Sequence, residues 1–212
     1  YTFTEEMGHY GERDILQKLD AWKVSPYRKP LMLKGARQVG KTWALKEFGA
    51  TRYRNCAYLT LEETAPGVPS EYAQLFESTR DPKRIIANLS FATGKPIDSG
   101  ETLVILDEIQ DCPAAVGMLK YFSDEAPEYH IVCAGSLLGV RLTRDSSAFP
   151  VGKVEFLDMH PMTFADSLRA VGAGNLDDYL GSISGFDAIP DLFANQLREH
   201  LRRYFAVGGM PE

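Results

Sequence analysis

The stretch Gly35-Ala36-Arg37-Gln38-Val39-Gly40-Lys41-Thr42 decides the reading of this chain, because it matches in full the phosphate-cradling pattern G-x-x-x-x-G-K-[ST]. Pro30 introduces the short apolar run Leu31-Met32-Leu33 before it, and Trp43-Ala44-Leu45-Lys46-Glu47-Phe48 after it reads as an opening helix. Strand, loop and helix in that order put the loop where a helix offers unpaired N–H groups and the positive end of its dipole. A triphosphate brings several negative charges that must be held without water. Gly35 and Gly40 let the backbone curve around them, with Ala36, Arg37, Gln38 and Val39 completing the nucleotide-binding loop. Lys41 then lies along the β- and γ-phosphates as a point charge, and the Thr42 hydroxyl completes a Mg²⁺ shell.

Working outward, the next informative stretch is Thr102-Leu103-Val104-Ile105-Leu106-Asp107-Glu108-Ile109-Gln110. Four consecutive apolar residues ending in two acids describe a strand buried on both faces, as in a parallel sheet covered by helices. The carboxylates then emerge at the C-terminal end of the strand, where open α/β sheets bind their ligands. Asp107 is placed to hold Mg²⁺, and Glu108 to orient and deprotonate an attacking water. An acidic strand end alone is commonly a strand running into solvent; downstream of a phosphate loop it carries chemistry.

The bulk properties set limits. A chain of 212 residues with 44% apolar content buries a sizeable core as one domain, or one domain plus a fragment. The formal charge of −6, from 23 basic and 29 acidic residues without a like-charge block, argues against a nucleic-acid footprint over the whole domain. A local patch from Arg198 to Arg203 is compatible with it. No apolar run reaches the roughly eighteen residues that cross a bilayer, so no membrane role is expected. Cys56, Cys112 and Cys133 lack paired spacing and fit a reducing cytoplasm. The start at Tyr1 and the stop at Glu212 suggest a trimmed chain with sequence on the far side of Glu212.

In chain order, Ile15, Leu16, Leu19 and Trp22 recur at helical spacing, giving an amphipathic helix across the front of the domain. Tyr53 to Leu61 reads as a second strand ending in Glu62-Glu63, a solvated turn in preference to a site. Ser70 to Phe76 and Pro82 to Leu89 read as helices, the second capped by Asp81. Pro113 to Asp124 is a further helix, His130 to Ser136 a buried strand, and Val151 to Leu157 a last strand, followed by a helix from Thr163 to Ala170. Ser136 is either a sensor of the γ-phosphate or a serine in a Gly-rich turn. From Val171 to Gly185 periodicity weakens into a connection; Asp191 to Phe205 restores a helix with Leu192, Phe193, Leu197, Leu201, Tyr204 and Phe205 on one side, stopped by Gly208-Gly209. The division expected is 1–170 for the nucleotide domain with its N-terminal helix, and 171–212 for a connection and helix leading to a further domain.

With these stretches together the chain resembles the AAA-superfamily ATPase domains of bacteria and archaea that precede a C-terminal domain of unknown function. The resemblance rests on the phosphate loop with its internal Arg37-Gln38, on Asp107-Glu108-Ile109-Gln110, on Gly135-Ser136-Leu137-Leu138, on Pro161-Met162-Thr163-Phe164 and on Gly208-Gly209-Met210-Pro211-Glu212. It implies an α/β fold of the P-loop NTPase type. Helices would flank a mostly parallel sheet of about five strands as a three-layer sandwich, with one strand inserted between the phosphate strand and the acidic strand, and with a helical C-terminal segment. It implies ATP and Mg²⁺ as cofactors, Lys41 and Glu108 as catalytic residues, and Thr42 and Asp107 as metal ligands. The closing Gly-Gly-x-Pro-Glu segment would lie at the junction with the further domain. Gly152-Lys153 stands where many members have Gly-Arg, and lysine lacks the forked donors that suit a phosphate in transition. Arg141 and Arg144 remain candidates for that arginine, supplied from this chain or a neighbouring subunit.

Three functions share this loop: an ATPase driving a conformational switch, an ATP-gated binding module with negligible turnover, and a phosphotransferase. Glutamate directly after the metal aspartate favours water as the nucleophile. Adenine follows from the family and from the lack of an N-K-x-D guanine-reading string. Besides ATP and ADP, the partners expected are an unidentified protein or nucleic acid reached through the further domain, with a homo-oligomer as an open alternative.

Overall fold

A computed structural model of the chain describes residues 14–135, 150–185 and 188–210. Its centre is a five-stranded sheet in which every neighbouring pair runs parallel. The strands are β1 (Leu31–Lys34), β2 (Asn55–Thr60), β3 (Thr102–Asp107), β4 (His130–Gly135) and β5 (Glu155–Asp158), in the order β2-β3-β4-β1-β5. β4 therefore stands between the phosphate strand β1 and the acidic strand β3, as the family resemblance implies.

Side-chain alternation divides the core into two layers. On one face Leu31, Leu33, Leu103, Ile105, Val132 and Ala134 pack against α1 (Asp14–Val24) and α2 (Lys41–Arg52), through Ile15, Leu16, Leu19, Trp22, Ala44, Leu45 and Phe48. On the other, Met32, Ala57, Leu59, Val104, Leu106, Ile131 and Cys133 meet α3 (Ala73–Glu77), α4 (Pro82–Thr93) and α5 (Pro113–Glu125). All six residues of β3 are buried, and so are all six of β4. That explains their unbroken apolar runs: a strand covered on both faces has no solvent side to make polar, and each large aliphatic side chain so placed contributes about 1.5–3 kcal/mol. The three-layer sandwich read from the sequence is the architecture found.

Local signals fix several boundaries. Asp81 caps α4 by accepting from the Lys83 N–H, with Pro82 in the first turn. Thr163 and Asp166 form a reciprocal capping box at the start of α6 (Phe164–Ala170).

Two expectations are corrected. The extended segment 151–157 is a strand only from Glu155; Gly152 turns in the left-handed region (φ 73°) and the Lys153 N–H closes onto the Pro150 carbonyl, so the strand cannot start earlier. The segment 171–185 is not a plain connection, because α7 (Gly174–Ser182) occupies most of it. Its helicity comes from packing that propensity does not report: Leu176 joins Leu168 of α6 and Leu197 of α8 (Asp191–Val207) in a small separate core edged by Phe164, Leu180 and Phe193. Two smaller differences are of register. Tyr53 lies outside β2, where its ring packs edge-on against Phe48 and His130, and α3 begins only at Ala73. Among the described residues, no helix is long and apolar enough to cross a membrane.

Candidate functional site

The phosphate loop leaves β1 at Lys34, where the backbone is pinned by Met159, whose N–H donates to the Lys34 carbonyl at 2.7 Å. Gly35 then passes so close to the end of β5 that a Cβ there would lie inside 3.0 Å of the Met159 carbonyl oxygen and 3.1 Å from Val39 Cγ2. Only glycine fits. Gln38 and Gly40 both adopt left-handed backbone (φ 65° and 88°), which turns the chain sharply into α2. For Gln38 this costs about 1–2 kcal/mol, the kind of strain that collects at functional loops. Val39 is fully buried and anchors the loop in the core under α2. α2 opens with no side-chain cap and no acid in its first turn, leaving its N-terminal end positive.

Lys41 is 7% exposed, and its ammonium donates to the carbonyls of Gly35 (3.0 Å) and Ala36 (2.7 Å). It is thus folded back over the loop it belongs to. Burial draws its affinity for the proton below the ordinary lysine value, opposed by the carboxylates of Glu108 and Asp107. That opposition places both acids within electrostatic reach of the loop.

The contact between loop and acidic strand is direct. The Thr42 hydroxyl donates to Asp107 Oδ2 at 2.7 Å, bridging 65 positions of sequence and the width of the intervening β4. Asp107 is 5% exposed; its Oδ1 accepts from the Glu108 N–H (3.0 Å), and its Oδ2 also accepts from the Tyr58 hydroxyl (3.1 Å). Glu108 begins the turn after β3 in left-handed backbone (φ 49°), which sets its side chain off from the strand direction, and its Oε2 accepts from Gln110 Nε2. The hydroxyl and carboxylate oxygens, adjacent and hard, suit Mg²⁺. Among the described residues no group of three His, Cys, Asp or Glu side chains gathers as a protein-only metal cage.

Of the residues singled out from the sequence, the loop Gly35 to Thr42 and the pair Asp107-Glu108 lie at the C-terminal ends of β1 and β3, joined by the contact of Thr42 with Asp107. Ser136, Arg141 and Arg144 lie outside the described residues. Lys153 precedes β5, at the N-terminal end of the parallel strands and so opposite the loop, where it pairs with Asp124 at 2.6 Å. Two neighbours of the site were not assigned a role from the sequence. Tyr58, on β2 beside Ile105, has its ring under the Lys46 ammonium (3.8 Å to the centroid); burial and Asp107 push its phenol up. Nothing in the run Cys56-Ala57-Tyr58-Leu59 distinguishes that tyrosine from a core aromatic. Gln110 was visible as part of a motif but not as a contact of Glu108.

The family model described as an AAA domain matches residues 27–168. No curated protein sequence matches the chain. Among solved structures, the Walker-type ATPase PABY2304 of Pyrococcus abyssi superposes with a TM-score of 0.58 at 17% identity, over 96% of this chain and 65% of that one. The ORC2 protein of Aeropyrum pernix, in ADPNP-ADP complexes, gives 0.46 at 14% identity over 81% of this chain and 55% of its own. AMPPCP-bound DnaA from Aquifex aeolicus gives 0.40 at 13% over 98% and 64%. Only the first is close enough to speak for the fold, and the chain spans less than two thirds of the length of each.

Proposed function

Because the chain belongs to the AAA domain family of nucleotide-binding P-loop ATPases, we propose that it binds ATP with Mg²⁺ at residues 35–42 and hydrolyses it to ADP and phosphate. The observation that carries this reading is the 2.7 Å contact of Thr42 with Asp107, which joins loop and acidic strand into one site.

Thr42 and Asp107 would hold the metal, whose charge neutralises the phosphate oxygens as the bond to the leaving group breaks. On binding, Lys41 exchanges its two loop carbonyls for phosphate oxygens, so the triphosphate meets an ammonium already held in place. Glu108 orients a water and takes its proton while the water oxygen attacks in line. The backbone from Gly35 to Gly40 holds the phosphates against the start of α2.

The output proposed is a change of conformation passed to the helical segment. Gly35 abuts Met159; three residues on, the Met162 N–H donates to the Gly209 carbonyl and the Met162 carbonyl accepts from the Tyr204 hydroxyl, both at 2.7 Å. A loop displaced by phosphate therefore pushes on the strap that holds α8. We keep the division at 1–170 and 171–212, with α6 interlocking the two through Phe164 and Leu168. The unpaired cysteines support a cytoplasmic setting. A protein or nucleic-acid partner completes the proposal.

The test is steady-state phosphate release. The parent should turn over ATP, and Glu108→Gln should retain ATP binding with turnover lowered at least 100-fold. No phosphate release by the parent at saturating Mg²⁺-ATP would replace the enzyme with a nucleotide-gated binding module.

A further inference from the structure

Gln110 sits in the short 3₁₀ turn Ile109–Asp111 that follows β3. Its Nε2 donates to Glu108 Oε2. Its Oε1 is buried and has no hydrogen-bond partner among the described residues. An orphaned buried acceptor destabilises the fold, and a methionine of similar shape would fill the same space without that cost. Packing does not account for the amide. The turn is also strained at its first residue, since Glu108 is a non-glycine residue in left-handed backbone. Cost and strain fall on two side chains that grip each other, next to the residue proposed to handle water.

We propose that Gln110 is a positioning residue for hydrolysis: its amide N–H fixes Glu108 Oε2, so that Oε1 is the oxygen presented to the attacking water. The inference rests on the ATPase reading above and adds a specific role to it. With one carboxylate oxygen committed to a donor, Glu108 cannot rotate freely about its terminal torsion; the proton of the water passes to Oε1 as the water oxygen bonds to the γ-phosphorus, and the bond from that phosphorus to the bridging oxygen breaks, its electron pair leaving on ADP. Gln110 touches neither nucleotide nor water in this scheme and acts wholly through Glu108.

The experiment compares parent, Gln110→Met, Glu108→Gln and the double variant, reading thermal midpoint, ATP affinity and turnover for each. Gln110→Met removes donor and orphan together. Its melting temperature should match or exceed the parent's, ATP affinity should stay within about twofold, and turnover should fall about 10- to 100-fold. On the Glu108→Gln background the same change should cost nothing further, because the residue it positions is already disabled. Gln110→Glu, which sets an acceptor against Glu108 in the same shape, should lose turnover at least as severely. The proposal is overturned if Gln110→Met hydrolyses ATP within about threefold of the parent, if its stability and turnover fall together, or if the losses in the double variant multiply. A parent that binds ATP without turnover overturns the ATPase reading and this inference with it; an active parent with an equally active Gln110→Met overturns this inference alone.

Discussion

Replacing Gly35 with alanine is the sharpest perturbation the fold offers, because two consequences follow from one methyl group. The added Cβ would stand inside 3.0 Å of the Met159 carbonyl oxygen, with Val39 Cγ2 at 3.1 Å on another side. The first obstacle is backbone, tied through the Met159 N–H to Lys34, so it cannot move aside as the end of a side chain would. Either the loop or the end of β5 must shift. Overpacking of this type costs about 1–3 kcal/mol, and the rigid obstacle argues for the upper half of that range. For a chain of 212 residues each kcal/mol lowers the melting temperature by about 2–4 °C, so a fall of about 4–12 °C is expected. The second consequence is functional. Gly35 supplies a carbonyl to the Lys41 ammonium, and the loop starts from it. If one charged hydrogen bond to phosphate is weakened by the shift, about 1.5–3 kcal/mol is at stake and nucleotide affinity should drop about tenfold or more. Thermal denaturation and titration with a fluorescent ATP analogue read the two effects separately. Gly49→Ala is the control: its Cβ would meet Cys56 Sγ at 2.6 Å, deep in α2 and away from the loop. It should destabilise less, since alanine gains about 1 kcal/mol of helix propensity over glycine, and should leave affinity intact. A Gly35→Ala protein with parental melting temperature and parental affinity would refute the argument.

Other perturbations address single groups. Lys41→Ala should weaken ATP binding about 10- to 100-fold, the worth of a charged hydrogen bond; equal titration curves for variant and parent would remove the loop from the site. Asp107→Asn should abolish the Mg²⁺ dependence of nucleotide binding, which an unchanged metal titration contradicts. Tyr58→Phe keeps the ring under Lys46 but releases one donor from Asp107 Oδ2, so the Mg²⁺ half-saturation point should move by about two- to tenfold, while metal-free nucleotide binding stays as it was. Burial, helped by the nearby Arg28 and Lys23, pulls the His130 imidazole down to about 4 from its ordinary 6.5. The ring is neutral in both states above pH 6.5; below it the unfolded chain takes up the proton first, so stability should fall as pH drops from 6.5 towards 4, by on the order of 3 kcal/mol. His130→Gln should flatten that limb in urea denaturation measured across this range.

The fold was legible where one residue type admits one geometry. The strand-loop-helix around Gly35 to Thr42, the doubly buried β3 and the Asp81-Pro82 helix start each carry their constraint locally, and the structure keeps them. α7 was not legible because its helix depends on Leu168 and Leu197, which no window around 174–182 contains. The start of β5 was misplaced for a related reason: Val151 and Val154 read as strand, but the left-handed turn at Gly152 lies between them. At the site, the meeting of Thr42 with Asp107 was legible because the loop and acidic-strand patterns restrict residue type and spacing. Tyr58 was not, since its link to Asp107 is made through the register of β2 on β3, and a tyrosine at a half-buried strand position is ordinary core chemistry.

A crystal structure with a non-hydrolysable ATP analogue and Mn²⁺ in place of Mg²⁺ decides whether the loop and the acidic strand form one nucleotide site, because the metal announces itself by anomalous scattering. One metal peak is expected against Thr42 Oγ1, with Asp107 in its shell and the triphosphate wrapped by residues 35–42. Nucleotide bound elsewhere, or metal held away from both Thr42 and Asp107, would contradict it.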